Sequence, residues 1–259
     1  MVLLELQERL RDRWVVVISV LFAVLAMGIV AYGRSADDVA GVVTAPSLVT
    51  LIVFLVPLVA LVLGHDAIVG ERERHTLGLL LSLPIGRTET LVAKFLGRLL
   101  ALSAALGLGL GGASLLIGTG QAGVVLGLLP PTLVLGAAFL SVGMLISVAA
   151  RRVATAASLA VVVWFTLVFI YDLALLALLV LTDGAVGQGT VTWLVVLNPA
   201  GLFRTQQMVR LVGSDALAEL GLVVSLPGPA VRAALWTAWV SVPLGLGAWG
   251  MSRRRAVTL

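Results

Sequence analysis

The sequence predicts an all-α membrane protein with six transmembrane helices, and three observations carry that prediction. Only 12% of the 259 residues are charged, roughly half the share usual in soluble domains. Hydrophobic residues make up 60%. The charges are also clustered: residues 99–150 contain no Asp, Glu, Lys or Arg, and neither do the runs 14–33 and 39–64. Each run can hold the ~20 apolar residues that cross a bilayer.

The chain opens on "LLELQERLRDRW", with Leu3, Leu6, Leu10 and Trp14 on one helical stripe and Glu5, Glu8, Arg9 and Asp12 on the others. That pattern predicts an N-terminal helix lying in the membrane interface. A first span follows at about 14–33. Its flank mixes acids with bases, and its apolar run exceeds the roughly 7–15 residues of a signal-peptide core. It is therefore read as a retained span. The second span covers about 46–64.

Next comes "DAIVGERERHTLGLLLSLP", read as a helix over about 66–83 that Pro84 ends. A span would not tolerate Glu71, Arg72, Glu73 and Arg74. A solvated loop would not need Leu77, Leu79, Leu80 and Leu81. The compromise is a helix packed along the ends of the spans. Either it shows its charged start to a partner, or it only terminates two spans.

The third span, about 96–117, carries Ala101, Ala105 and Gly109, and Gly107 with Gly111, at four-residue spacing. Small residues so spaced let helices approach closely in lipid; packing within the bundle is favoured over a dedicated dimer seam. "GTGQAG" allows a tight turn before the fourth span at about 124–149, which Pro130-Pro131 kinks or starts. The fifth span covers about 153–182 and the sixth about 231–251, leaving a long outer segment at 183–230. Within that segment Asn198 can cap a helix whose first residue is Pro199. Leu202, Phe203, Met208 and Val209 interleave with Gln206, Gln207 and Arg210, a pattern that suits a helix at the outer membrane surface.

The positive charges set the orientation. Thirteen of seventeen fall on one side: Arg9, Arg11, Arg13, Arg72, Arg74, Arg87, Lys94, Arg98, Arg151, Arg152, Arg253, Arg254 and Arg255. Arg34, Arg204, Arg210 and Arg232 fall on the other. Both termini and the 66–83 helix are then cytoplasmic. The same bias accounts for a sequence pI near 10.6 without any nucleic-acid partner.

Several chemistries have no residues to carry them. There is no cysteine, no G-x-x-x-x-G-K-[ST] phosphate loop and no H-E-x-x-H cluster. His65 and His75 read as ordinary loop residues. An intramembrane enzyme would need a Ser-His, paired-Asp or metal constellation, which Asp172 alone does not provide. Asp172, the one acid inside an apolar run, lies about 30 Å along its helix from Arg152. That depth is near the outer edge of the hydrocarbon, so capping or pairing with Arg204 or Arg210 is favoured over contact with a substrate. Asp172, Asn198, Arg204 and Met208 are the candidates for an outer-loop anchor or a pathway.

The 66–83 stretch resembles the hallmark of ABC-2 type transporter permeases, close to E-x-E-x-x-T-L-x-x-L-L-x-x-P-x-x-R. Glu71, Glu73, Thr76, Leu77, Leu80, Leu81, Pro84 and Arg87 stand at those positions. His75 and Gly78 replace the glycine and the acid that the family often has around Thr-Leu. The resemblance covers the whole chain. It implies a type V exporter-like fold in the inner membrane, paired with a second copy. It also implies a separate ABC ATPase that binds ATP and Mg, this chain holding no cofactor or metal. Asp66, Glu71, Arg72, Glu73, Arg74 and Thr76 would dock on that ATPase. A narrower likeness, in "PLVALVLGHDAIVGERE" and "YDLALLALL", implies a periplasmic partner protein. Export of a lipid-like or drug-like amphiphile is the alternative.

Overall fold

The computed structural model describes residues 13–35, 44–75, 86–117, 119–183, 185–213 and 226–253. Among them every regular element is helical. In chain order these are α1 (Arg13–Ser35), α2 (Thr44–Gly64), α3 (Val69–Glu73), α4 (Arg87–Ile117), α5 (Thr119–Leu126) and α6 (Leu129–Ala149). Then come α7 (Val153–Phe165), a π turn (Thr166–Ile170), α8 (Tyr171–Leu181), α9 (Gln188–Leu197), α10 (Pro199–Val212) and α11 (Pro229–Arg253). The interfacial helix expected before Arg13 lies outside the described residues, as do Thr76 and the leucines up to Pro84. Among the described residues, four stretches are long and apolar enough to cross a membrane: Pro46–Glu73, Arg87–Leu115, Ala122–Ala149 and Val153–Leu181.

Proline and glycine punctuate these helices where their chemistry requires. Pro130 and Pro131 sit in the first turn of α6, where a missing N–H leaves no bond unmade. Pro243 lies inside α11 and cannot donate to the carbonyl of Trp239 four residues back. Ser141 Oγ of α6 lies 2.9 Å from that carbonyl and 2.7 Å from the Ala138 carbonyl, its one O–H shared between them. The α11–α6 contact thus repairs the helix that proline interrupts.

α2 and α6 form the centre of the bundle, with α1 packed along α4 and α11 along α6. α2 and α6 touch backbone to backbone at Gly64 and Gly143. A Cβ on Gly64 would lie 2.9 Å from both Gly143 Cα and the Leu140 carbonyl oxygen. Neither of those atoms can swing away. Gly109 closes on Phe22 of α1, whose ring would meet its Cβ at 2.6 Å, whereas Gly107 and Gly111 have nothing within 4 Å. One small-residue stripe of α4 therefore packs inside the bundle and the other is open. Gly64→Ala should destabilise the protein by about 1–3 kcal/mol, as overpacking does. Gly107→Ala should be neutral or gain up to about 1 kcal/mol from helix propensity. Melting the two variants in detergent checks the contrast, and equal melting temperatures would refute the α2–α6 contact.

α7 joins α2 through aromatic rings. Phe54 stacks on Phe169 at 5.0 Å, Trp164 meets Phe169 edge-on at 5.2 Å, and Trp164 Nε1–H donates to the Phe54 carbonyl at 3.0 Å. Little else covers this rod. Only 11% of the Val153–Leu181 apolar window is buried within the chain, against 72% for Ala122–Ala149.

Two sequence expectations change shape. Where one helix was expected over 66–83, α3 stops at Glu73 and His75 turns into the left-handed region with φ 58°. Glycine enters that region freely, and histidine is one of the side chains that tolerates it. The 183–230 segment, expected as a loop with one surface helix, holds the hairpin α9–α10. Its second helix is buried along Pro199, Ala200, Gly201, Leu202, Phe203 and Gln207 and packs on α2 and α6.

Candidate functional site

The short helix α3 follows α2 at one end of the bundle, and its charged side chains bind neighbouring helices. Asp66 Oδ1 accepts from Arg98 Nη1 at 2.7 Å, and Arg98, which also donates to the Leu63 carbonyl, is fully buried. Glu71 Oε1 pairs with Lys94 Nζ at 3.1 Å; Lys94 is 4% exposed and Glu71 15%. Lys94 and Arg98 stand four apart on α4, the spacing that puts two side chains on one face. Two ion pairs therefore tie the α2–α3 corner to α4.

Arg72 and Glu73 hold the corner between α6 and α7. Arg72 Nη1 donates to the Ala150 carbonyl at the end of α6, at 2.8 Å. Glu73 Oε1 accepts from Val153 N, the first amide of α7, also at 2.8 Å. A cation thus meets a helix C-terminus and an anion a helix N-terminus, the favourable sense of both dipoles. Arg152, at the N-cap of α7, offers no side-chain cap of its own. Ser147 Oγ completes the clamp by accepting from Ile68 N and Val69 N, at 2.9 and 3.1 Å, in a buried site. Arg74, by contrast, is exposed, and Thr76 lies outside the described residues.

The other end of the α7–α8 rod holds the second cluster. Asp172 Oδ2 pairs with Arg204 Nη1 at 2.5 Å, with the two side chains 37% and 34% exposed. Arg210, the other expected partner, donates instead to the Gly127 carbonyl at 2.6 Å, across the break between α5 and α6. Asn198 works in two directions. Its Oδ1 accepts from Ala200 N at 3.0 Å, capping α10, and its Nδ2–H donates to the Leu167 carbonyl at 2.6 Å. Leu167 sits in the π turn, where the wider ring shifts carbonyls off the α-helical ladder. Tyr171 OH donates to the Leu194 carbonyl of α9 at 2.6 Å. Trp236 Nε1–H donates to Gln206 Oε1 at 3.1 Å. Met208 is partly buried and packs on the central core.

The structure therefore gathers the sequence candidates into two sets. Asp66, Glu71, Arg72 and Glu73 meet around α3, and Asp172, Asn198 and Arg204 meet around the π turn. Lys94, Arg98 and Ser147 were missed as members of the first set. Lys94 and Arg98 had a faint signal, two bases four apart opposite two acids five apart, and Ser147 had none. Among the described residues no three His, Cys, Asp or Glu side chains gather as a metal site.

A bundle of apolar helices with a charged corner helix fastened at one end has the build of a transporter's membrane subunit. The model of the ABC-2 family transporter proteins matches residues 1–255, and the chain belongs to that family as an ABC transporter permease. The probable ABC transporter permease protein NosY of Pseudomonas aeruginosa is 40% identical, over 98% of this chain and 96% of that one. The probable NosY permease of Stutzerimonas stutzeri is 42% identical, over 97% and 96%.

Proposed function

We propose that two copies of this chain form the membrane half of an ABC transporter, moved by separate ATPase subunits that bind ATP and Mg. Each copy has six spans in the inner membrane, both termini cytoplasmic, and α3 facing the ATPase. By likeness to the NosY permeases, the complex serves assembly of the copper centres of nitrous oxide reductase through a periplasmic partner protein. Most support comes from the Val153–Leu181 rod. Glu73 caps its start, while Asn198 and the Asp172–Arg204 pair tie its other end to α9–α10. Between these ties it packs on α2 through Trp164 and Phe169, and only 11% of its apolar window is buried within the chain. Force entering at α3 would reach the α9–α10 hairpin through this rod, and a second copy would cover its bare face.

Copper is cargo or product in this scheme rather than a resident metal. Copper(I) prefers thiolate and thioether ligands, and the chain has no Cys, while Met27, Met144, Met208 and Met251 stand on four different helices. The permease would move the periplasmic partner, or pass a different species such as a sulfur compound. Two measurements test the reading. Cells lacking this chain should yield nitrous oxide reductase depleted of copper by metal analysis, and the detergent-purified permease should hold no stoichiometric copper(I) after desalting. Fully loaded reductase from those cells would sink the role and favour the amphiphile exporter. Retained copper that Met→Leu substitution removes would point to direct copper transport.

A further inference from the structure

At the α3 end of the bundle, every described carboxylate is engaged within the chain. Asp66 binds Arg98, Glu71 binds Lys94, Glu73 caps α7, and Glu89 Oε2 accepts from Gly86 N at 3.0 Å. The described arginines there divide differently. Arg98 is buried in its ion pair, Arg72 reaches the Ala150 carbonyl and Arg87 the Met251 carbonyl. Arg253 lies over the Trp249 ring at 3.9 Å. Arg74, Arg151 and Arg152 are exposed, and no described carboxylate pairs with them. These three flank a single contact, since Arg74 follows Glu73 and Arg151–Arg152 precede Val153, the two residues joined at 2.8 Å.

We propose that Arg74, Arg151 and Arg152 form the docking face for an acidic surface on the ATPase, while Glu71 and Glu73 hold the permease together. This rests on the reading that an ATPase docks at this end, and it reverses the charge sense that the acid-rich "GERER" alone suggests. A protein carboxylate surface is the occupant assigned, because the three arginines flank the contact through which α3 grips the start of α7. Arginine forks bind carboxylates in two-point geometry, which fixes orientation as a point charge does not. Arg152 also stands in extended backbone, φ −131° and ψ 146°, at a corner that α3 clamps from both sides. A pull or push on this corner is delivered to the start of α7 rather than dissipated in a loose loop. Exposed charges of this kind act chiefly on association rate and salt sensitivity.

The test titrates the ABC ATPase expressed with this permease, purified separately, onto the permease in neutral detergent. Arg151→Glu/Arg152→Glu and Arg74→Glu should each weaken binding at least about tenfold, with unchanged size-exclusion profiles, because the side chains are exposed. Polyglutamate should compete by occupying the arginines, and polylysine by occupying the acidic surface of the ATPase. If the double variant does not fold, Arg74→Glu alone carries the test. Undiminished binding by the reversal variants, or indifference to polylysine, would overturn the acidic-partner assignment. So would an effect seen only in phosphatidylglycerol vesicles and absent in detergent, which would give the arginines to lipid headgroups. Failure of the unaltered permease to bind the ATPase at all is a different result, and it sinks the docking reading beneath this one.

Discussion

Asp66→Ala should be among the most damaging single changes outside the apolar core, lowering stability by about 3–5 kcal/mol, the range for stranding one member of a buried ion pair. The reason lies in Arg98, whose side chain is fully buried while Asp66 keeps 20% exposure. Removing the carboxylate leaves a guanidinium charge where water cannot reach it. Asp66→Asn keeps a hydrogen-bond acceptor but not the charge, so its loss should be smaller. The double variant Asp66→Ala/Arg98→Met removes both charges and should recover much of the stability, since apolar replacement of a whole buried pair is often neutral. Unfolding of these variants in detergent, with the native protein and Arg98→Met alone, supplies the cycle. An Asp66→Ala loss within about 1 kcal/mol, the range of an exposed pair, would show that Arg98 is solvated and that α3 is not pinned at this point.

The same corner shows what the sequence made legible and what it did not. Local signals survived well. Asn198 before Pro199 marks a helix start by its own chemistry, and Asn198 caps α10. Depth arithmetic along one helix put Asp172 near the far end, and Arg204 meets it there. Non-local pairings left almost no trace. Lys94 and Arg98 find acids 23 and 32 residues away, and Arg72 and Glu73 reach 78 and 80 residues to the α6–α7 corner. Read alone, "GERER" offers four charges to any partner, and nothing in it says that the fold consumes both acids. Helix register was equally hidden. A membrane helix is apolar towards lipid and towards its neighbours, so no polar face reports how α2 turns Gly64 onto Gly143. The hairpin's first helix, α9, escaped notice because it opens on the polar, glycine-bearing "QGTVT" and only five apolar residues follow before Asn198-Pro199. The π turn has no residue signature at all; only the contact of Leu167 with Asn198 reveals what it is for.

Asn198→Ala should cost about 2–4 kcal/mol, combining a lost N-cap of about 1 kcal/mol with buried polar groups left unmet at about 1–3 kcal/mol. The side chain is 2% exposed, so water cannot readily replace it at either the Ala200 amide or the Leu167 carbonyl. Asn198→Ser separates the two tasks. Serine caps a helix about as well as asparagine, but it is too short to hold α10 and the π turn together. Its stability should fall between the native protein and the alanine variant. Function should follow the tie rather than the cap. If the Val153–Leu181 rod carries motion from α3 to the α9–α10 hairpin, both variants should still stimulate ATP hydrolysis by the docked ATPase, because α3 is untouched. Both should fail to support copper loading of nitrous oxide reductase. Hydrogen exchange should quicken in α10 and around the π turn while the amides of α3 stay protected. A serine variant with full copper loading would mean that the hairpin moves without its tie to Leu167, and the rod would lose its role as the link between the two faces.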